Sequence, residues 1–411
     1  MLFFCQILCL YFPFSWLYYI IRLEGDSVKI KIGVIFGGKS VEHELSIMTA
    51  VQAMEHIDQE KYEVVPIYIT KDLQMYSGGM LRHIDSFKDF DLIRHYAKRV
   101  NLVNKKGRFV LETTGLIRRE YNEIHLAFPM MHGANTEDGS IQGYLQILGI
   151  PYVGNNIYTS SLGQDKVFVK QILEQNGLPV TNYIWFFASD YLNNKEELFK
   201  KMEKLHYPLV IKPATLGSSI GIAVINRKEE LESAIEKAIK FDRKVIVEEK
   251  INNLVEYNCS VLGTYDKMQV SDIEEFICDD NIRQYKDKYT KYNEEDAKIK
   301  RICPAKIGVR LKDEIERDAK EVYRLINAQG TARIDFLYDN KNKKIYIDEV
   351  NTIPNYFSYH LWEDKNISYK VLLEYMIKDA IKLINIKDDM DLVLDTDLMK
   401  GLTAKDIREM K

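Results

Sequence analysis

Ala332-Arg333-Ile334-Asp335-Phe336, followed shortly by Tyr346-Ile347-Asp348-Glu349-Val350-Asn351, decides how the chain is read. Each stretch reads as a buried strand, with Asp335 held between apolar residues. Side chains alternate along a strand, so Glu349 and Asn351 point to one face. The polar run from Asp339 to Lys344 reads as the hairpin turn between them. If the strands pair, Asp335, Glu349 and Asn351 meet at one spot. Two carboxylates and an amide oxygen are hard ligands of the kind magnesium takes beside nucleotide phosphates. An acidic cluster inside a sheet is costly unless a cation or hydrogen bonds neutralise it. The plainer alternative, an exposed hairpin with solvated acids, sits badly with such apolar flanks.

The chain's 411 residues are enough for two or three domains. Its 57 basic and 61 acidic residues give a net charge of −4, which leaves no basic footprint for nucleic acid. Cys5, Cys9, Cys259, Cys278 and Cys303 form no CxxC pair and no zinc spacing. That pattern fits buried thiols in a reducing, cytoplasmic setting. Met1 to Ile21 is apolar and aromatic without charge, about long enough to span a bilayer. It lacks the n-region and cleavage site of a secretory signal. Translated upstream sequence, with the globular pattern starting at Val28, is the expectation for residues 1–27; a membrane tether is the alternative.

Ile30 to Phe36 reads as a strand, Gly37-Gly38 as a turn, and Ile47 to Val51 as part of a helix, the opening of an α/β layer. Glu42 beside that turn is placed either to hold a substrate ammonium or to serve the helix dipole. Tyr62 to Ile69 and Ile124 to Met131 read as further strands. The second delivers His132 and the run Gly133 to Gly139 at its C-terminal end, where open α/β sheets bind ligands. Glu137 and Asp138 read equally well as helix caps. Residues 79–120 show weak periodicity. Leu209 to Pro213 runs into Ala214 to Ile222, a small hydroxyl-rich loop whose N–H groups suit phosphate oxygens. It is not a P-loop, because Lys212 precedes it. Lys244 to Ile251 leaves an apolar core into charged residues. Residues 279–299 lack apolar periodicity and read as a long lid loop. Ile315 to Ala328 and Tyr369 to Ile384 read as helices, and Lys387 to Lys411 as a charged tail.

Seven motifs, in this order, resemble the D-alanine–D-alanine ligases of the ATP-grasp fold: GGKSVEHELS, HGANTEDGSIQG, KPATLGSSIGI, VEEKI with a downstream glutamate, YKDKYT, ARIDF and DEVNTIP. The resemblance spans roughly residues 29 to 385. It implies an α/β, three-domain ATP-grasp architecture: an N-terminal parallel-sheet domain over 28–155, then α+β subdomains over 156–240 and 241–385 that clamp ATP. A charged tail follows over 386–411. It implies ATP and two magnesium ions as cofactors, with manganese as a substitute, D-amino acids as substrates, a homodimer, and a place in peptidoglycan synthesis. The first D-amino acid's carboxylate takes the γ-phosphoryl group, and the second's amine attacks the resulting acyl phosphate. No enzyme nucleophile is called for, because phosphoryl transfer rests on positioning and charge neutralisation.

By the same resemblance, Lys166, Lys212 and Ser219 contact ATP phosphates. Glu248, Glu249, Lys250 and Ile251 line the adenine pocket, and Glu256 holds the ribose. Asp335, Glu349 and Asn351 bind the metal ions. Arg333 stabilises the acyl phosphate and the oxyanion. Glu42 and His132 hold the first amino acid, and Glu42 forms a hydrogen-bonded set with Ser218 and Tyr289. Lys288, Asn355 and His360 fall on the substrate side. Tyr289 within YxxKY is like the peptide-forming members.

The chain departs from the family after Pro354. Asn355 replaces a glycine whose N–H serves the oxyanion hole, and His360 replaces the serine for the second substrate's carboxylate. Asn tolerates a left-handed backbone, so the turn is expected to survive at Asn355. Thr136 stands for a usual glycine, and Asn253-Leu254-Val255 lacks a glycine pair. D-Alanine joined to D-alanine is the leading expectation. A sister ligase with D-serine or another amine as acceptor, or a nucleotide-binding homologue without ligase chemistry, are the alternatives.

Overall fold

Three sheets carry the chain, and the computed structural model describes residues 29–217, 220–278, 299–388, 402 and 404–409. Residues 1–28, Ser218, Ser219 and residues 279–298, with Lys288 and Tyr289 among them, lie outside the described residues. In the first sheet, β1 (Ile30–Gly37) pairs parallel with β2 (Tyr62–Ile69) on one side and with β7 (Leu126–Pro129) on the other. Next to β2 come β3 (Met75–Ser77), β4 (Lys98–Lys105), β5 (Arg108–Thr113) and β6 (Glu120–Ile124), each antiparallel to its neighbour. The order β6-β5-β4-β3-β2-β1-β7 keeps the expected parallel pairing of β1 with β2 and β7 and extends it with antiparallel strands. Of the extra strands, β4 and β5 fall within residues 79–120. Their outward positions are spent on ion pairs such as Lys105–Glu112 and Arg108–Glu123, so charge masks the alternation by which a strand is read.

Gly37 and Gly38 have φ of +93° and +91°. A Cβ on Gly37 would stand 2.2 Å from the Ile69 carbonyl oxygen, so this sharp exit needs glycine. It feeds the helix His43–His56.

The second sheet is antiparallel and holds β8 (Tyr183–Phe187), β9 (Leu209–Pro213), β10 (Ala223–Ile225) and β11 (Lys244–Glu249), in the order β10-β9-β11-β8. The third holds β12 (Leu254–Gly263), β13 (Met268–Val270), β14 (Glu274–Cys278), β15 (Ile299–Ile302), β16 (Gly330–Asp339) and β17 (Lys344–Asn351). Its order is β15-β14-β12-β16-β17, with β13 beside β12. The helix Val309–Leu325 begins earlier than the sequence reading had it and lays Ile315, Ala319 and Val322 on this sheet, one apolar stripe at helical spacing.

One helix, Lys166–Gln175, joins the second and third sheets. Its Val169 and Leu173 enter the core of the third sheet, while Val167 packs with Ala214 and Ile246 of the second. The helix Tyr369–Asp388 returns to the first sheet, where Leu372, Leu373, Met376 and Ile377 share a core with the helix His43–His56. No helix among the described residues is long and apolar enough to cross a membrane. Cys259 is buried and Cys303 exposed, and both are free thiols.

Candidate active site

In the β16–β17 ladder Asp335 lies opposite Glu349, and Arg333 opposite Asn351. Positions two apart on paired strands share a face, so all four converge. Arg333 holds Asp335 with two hydrogen bonds, Nε to Oδ1 at 2.7 Å and Nη2 to Oδ2 at 2.7 Å. Asn351 Nδ2 donates to Asp335 Oδ2 at 3.2 Å. Burial works against the Arg333 charge, but Asp335 and Glu349 outweigh it and hold the guanidinium firmly protonated. Opposed carboxylates inside a sheet repel each other. With the Asn351 amide turned to present its oxygen, Asp335, Glu349 and Asn351 form the hard-oxygen set a magnesium ion takes. Among the described residues no group of three His, Cys, Asp or Glu is arranged to hold a metal.

The ladder slips between Asp335 and Phe336: Phe336 pairs with Ile347, and Asp348 is the extra residue of a bulge. Regular alternation would turn Asp348 away from Glu349. The bulge instead brings both carboxylates into one cleft between the second and third sheets.

That cleft is walled by β9 and β11 on one side and by β12, β16 and β17 on the other. Lys166, Lys212, Glu248, Glu249, Lys250, Ile251, Glu256, Asp335 and Glu349 all line it. Asp165 caps the joining helix, accepting from the N–H groups of Val167 and Phe168, and Lys244 pairs with Asp165 at 2.6 Å. This fixes Lys166 at the cleft, where its Nζ donates to the Leu216 carbonyl at 3.0 Å and lies 3.6 Å from Glu349 Oε2. Lys212 Nζ meets Glu248 Oε2 at 2.8 Å and Asp348 Oδ1 at 3.0 Å. Lys170, wholly buried, holds the other Glu248 oxygen at 3.1 Å and donates to Thr181 Oγ1. Burial pushes the Glu248 carboxyl upward, but Lys170 and Lys212 prevail and hold it below the usual carboxylate range.

Two residues expected at the adenine edge therefore have carboxylates engaged elsewhere. Glu248 faces two lysines. Glu249 accepts from His206 N at 2.9 Å and Asn182 Nδ2 at 2.9 Å, with His206 Nδ1 2.7 Å away.

On the first sheet, Glu42 is buried beside two loops. A Cβ on Gly133 would stand 2.9 Å from Glu42 Oε2, and one on Gly217 4.0 Å from it. His132 is buried, its N–H donating to Ser46 Oγ at 2.8 Å. Its Nε2 lies 3.0 Å from Thr49 Oγ1 and its Nδ1 3.6 Å from Glu137 Oε1. The two acids read together as caps divide their roles. Asp138 accepts from the N–H groups of Asn135 and Ser140, whereas Glu137 turns inward and accepts from Gly133 N. Burial raises the Glu137 carboxyl above its usual range despite the histidine beside it.

The segment after Pro354 differs from expectation. Asn355 is not left-handed; Tyr356, Phe357 and Ser358 are, with φ of +50°, +53° and +52°. Phe357 is buried against Phe128, ring centroids 5.4 Å apart, and that anchorage holds the turn. His360 Nε2 lies 3.4 Å from Glu274 Oε1, so it faces a carboxylate of the chain itself. Burial acts to raise the Glu274 carboxyl, but His360, Arg301 and Arg333 together lower it.

Sequence reading missed Lys170, Asp348 and Glu274 as parts of this network. Lys170 follows Lys166 by one helical turn, a spacing that could have flagged it. No local signal marks Asp348, whose position depends on the bulge.

Comparison with known proteins agrees with this geometry. The family profile described as D-ala D-ala ligase N-terminus matches residues 31–155, and that described as D-ala D-ala ligase C-terminus matches residues 172–378. The D-alanine–D-alanine ligase of Thermosipho melanesiensis is 36% identical over 378 residues, covering 92% of this chain and 100% of that one. The one from Bacillus cytotoxicus is 37% identical over 360 residues, covering 86% and 96%. Among solved structures, the VanG D-Ala:D-Ser ligase from Enterococcus faecalis gives a TM-score of 0.74 at 31% identity, covering 86% of this chain and 100% of that one. The D-alanine–D-alanine ligase from Coxiella burnetii gives 0.73 at 25%, covering 87% and 96%. The chain belongs to the D-alanine–D-alanine ligase family of ATP-dependent carboxylate–amine ligases.

Proposed function

We propose that this protein joins two molecules of D-alanine for peptidoglycan synthesis, with ATP converted to ADP and phosphate. The observation that carries the reading is the convergence of Lys166, Lys212, Asp335 and Glu349 on one cleft between two sheets. A carboxylate oxygen of the first D-alanine attacks the γ-phosphorus and ADP leaves. The amine of the second attacks the acyl phosphate carbonyl, loses a proton, and expels inorganic phosphate. Lys166 and Lys212 bind the phosphates, Glu42 and His132 orient the first amino acid, and Arg333 stabilises the oxyanion. Glu256 faces the ribose. Asp335, Glu349 and Asn351 would hold two magnesium ions, or manganese, which would supply charge neutralisation for the phosphoryl group.

A second reading, with D-serine or another amine as acceptor, is favoured by one observation: His360 is turned to Glu274, which offers an added acidic partner on the acceptor side. ADP release with D-alanine alone, then with D-alanine plus each candidate acceptor, tests both. No turnover with D-alanine alone rejects the leading version. We further propose the division at residues 28–155, 156–240 and 241–385, a homodimer, and a cytoplasmic location.

A further inference from the structure

We infer that Asp348 is a stand-in for nucleotide phosphate: it holds the Lys212 ammonium across the cleft until a triphosphate displaces it. This rests on the reading of Lys212 as a phosphate ligand. Lys212 belongs to β9 of the second sheet and Asp348 to β17 of the third, so their 3.0 Å contact bridges the two walls. The two carboxylates on Lys212 are not alike. Glu248 is anchored from behind by Lys170 and its side chain is 2% exposed, whereas the Asp348 side chain is 18% exposed and lines the cleft. Glu248 is therefore the fixed partner and Asp348 the exchangeable one. A carboxylate oxygen and a phosphate oxygen accept from an ammonium in the same way. The bulge is what makes the exchange available, because only there does β17 turn two successive carboxylates inward. Lys166 is matched with Glu349 in the same manner, at 3.6 Å.

The arrangement has a cost for binding. An incoming triphosphate must take Lys212 from Asp348 and then tolerate that carboxylate nearby, in a cleft where charges are poorly screened. Asp348 thus keeps the empty cleft charge-balanced and weakens nucleotide binding.

Calorimetry of the full chain with ATP, and separately with adenosine, in magnesium-containing buffer tests this. Asp348→Asn, with Asp348→Ser as the second variant, is expected to bind ATP about tenfold more tightly than the parent. Adenosine, which has no phosphate, is expected to bind unchanged. Lys212→Met is expected to bind ATP about tenfold or more weakly. Unchanged or weaker ATP binding in both Asp348 variants overturns the stand-in role while leaving Lys212 as a phosphate ligand if Lys212→Met is impaired. Undiminished ATP binding by Lys212→Met overturns the phosphate reading and the stand-in role with it.

Discussion

Glu349 stands directly across from Asp335 in the β16–β17 ladder. Like charges directly opposite each other destabilise a sheet, and a divalent cation between them reverses the sign. Magnesium is therefore expected to raise the melting temperature of the parent protein. Glu349→Ala should lose that response and turn over about a thousandfold more slowly or not at all. ADP release and a thermal melt with and without magnesium check both. Full activity in Glu349→Ala contradicts the metal assignment.

Lys170 and Glu248 form an ion pair in which both side chains are essentially out of water. Removing Lys170 strips one buried Glu248 oxygen of its cation and leaves Lys212, at 2.8 Å, to hold the other. Lys170→Met is expected to cost about 2–3 kcal/mol of stability, read by urea unfolding. The double variant Lys170→Met, Glu248→Met should recover much of the loss, since matched apolar replacement of a buried pair is often neutral. Equal instability of the single and double variants would show that packing, not charge, sets the cost.

The convergence of Asp335, Glu349 and Asn351 was legible because its information is local. Asp335, Glu349 and Asn351 follow from strand alternation and a short hairpin, and the register bears this out. Asp348 lies within the same quoted hexapeptide and was not legible, since its orientation depends on one slipped pairing. The edge strands of the first sheet were hidden by ion pairs such as Arg108–Glu123. His360 stands out by its motif, but its partner Glu274 lies on β14, far along the chain. Pairings between distant strands leave no periodicity to read.

Ser358 carries a left-handed backbone, and its buried Oγ has no hydrogen-bond partner among the described residues. A left-handed non-glycine residue costs about 1–2 kcal/mol, and an orphaned buried hydroxyl adds to that. Glycine relieves both at some cost in chain entropy. Ser358→Gly is expected to stabilise the protein by about 1 kcal/mol in chemical unfolding. Ser358→Ala removes only the hydroxyl and should gain less. An equal gain from alanine would mean that the backbone is not strained there.

His43 is buried at the start of its helix, Nδ1 2.6 Å from the Gly38 carbonyl and Nε2 3.0 Å from Tyr68 Oη. The short contact to a carbonyl puts the proton on Nδ1, so the neutral ring accepts from the tyrosine. Burial lowers the His43 pKa below 6.5; Gly38 and Glu44 oppose the shift, while Lys71 adds to it. The unfolded state then binds more protons than the folded state once the pH drops below 6.5, so stability falls on acidification from that point. The loss stops only below the folded pKa, and its slope reaches at most about 1.4 kcal/mol per pH unit from this one group. His125, also lowered by burial, contributes its own slope to parent and variant alike. Urea unfolding from pH 7.5 down to 5 should therefore show a shallower decline for His43→Asn than for the parent, even though the variant starts less stable. Parallel curves would mean that His43 takes up its proton without unfolding the turn at Gly38.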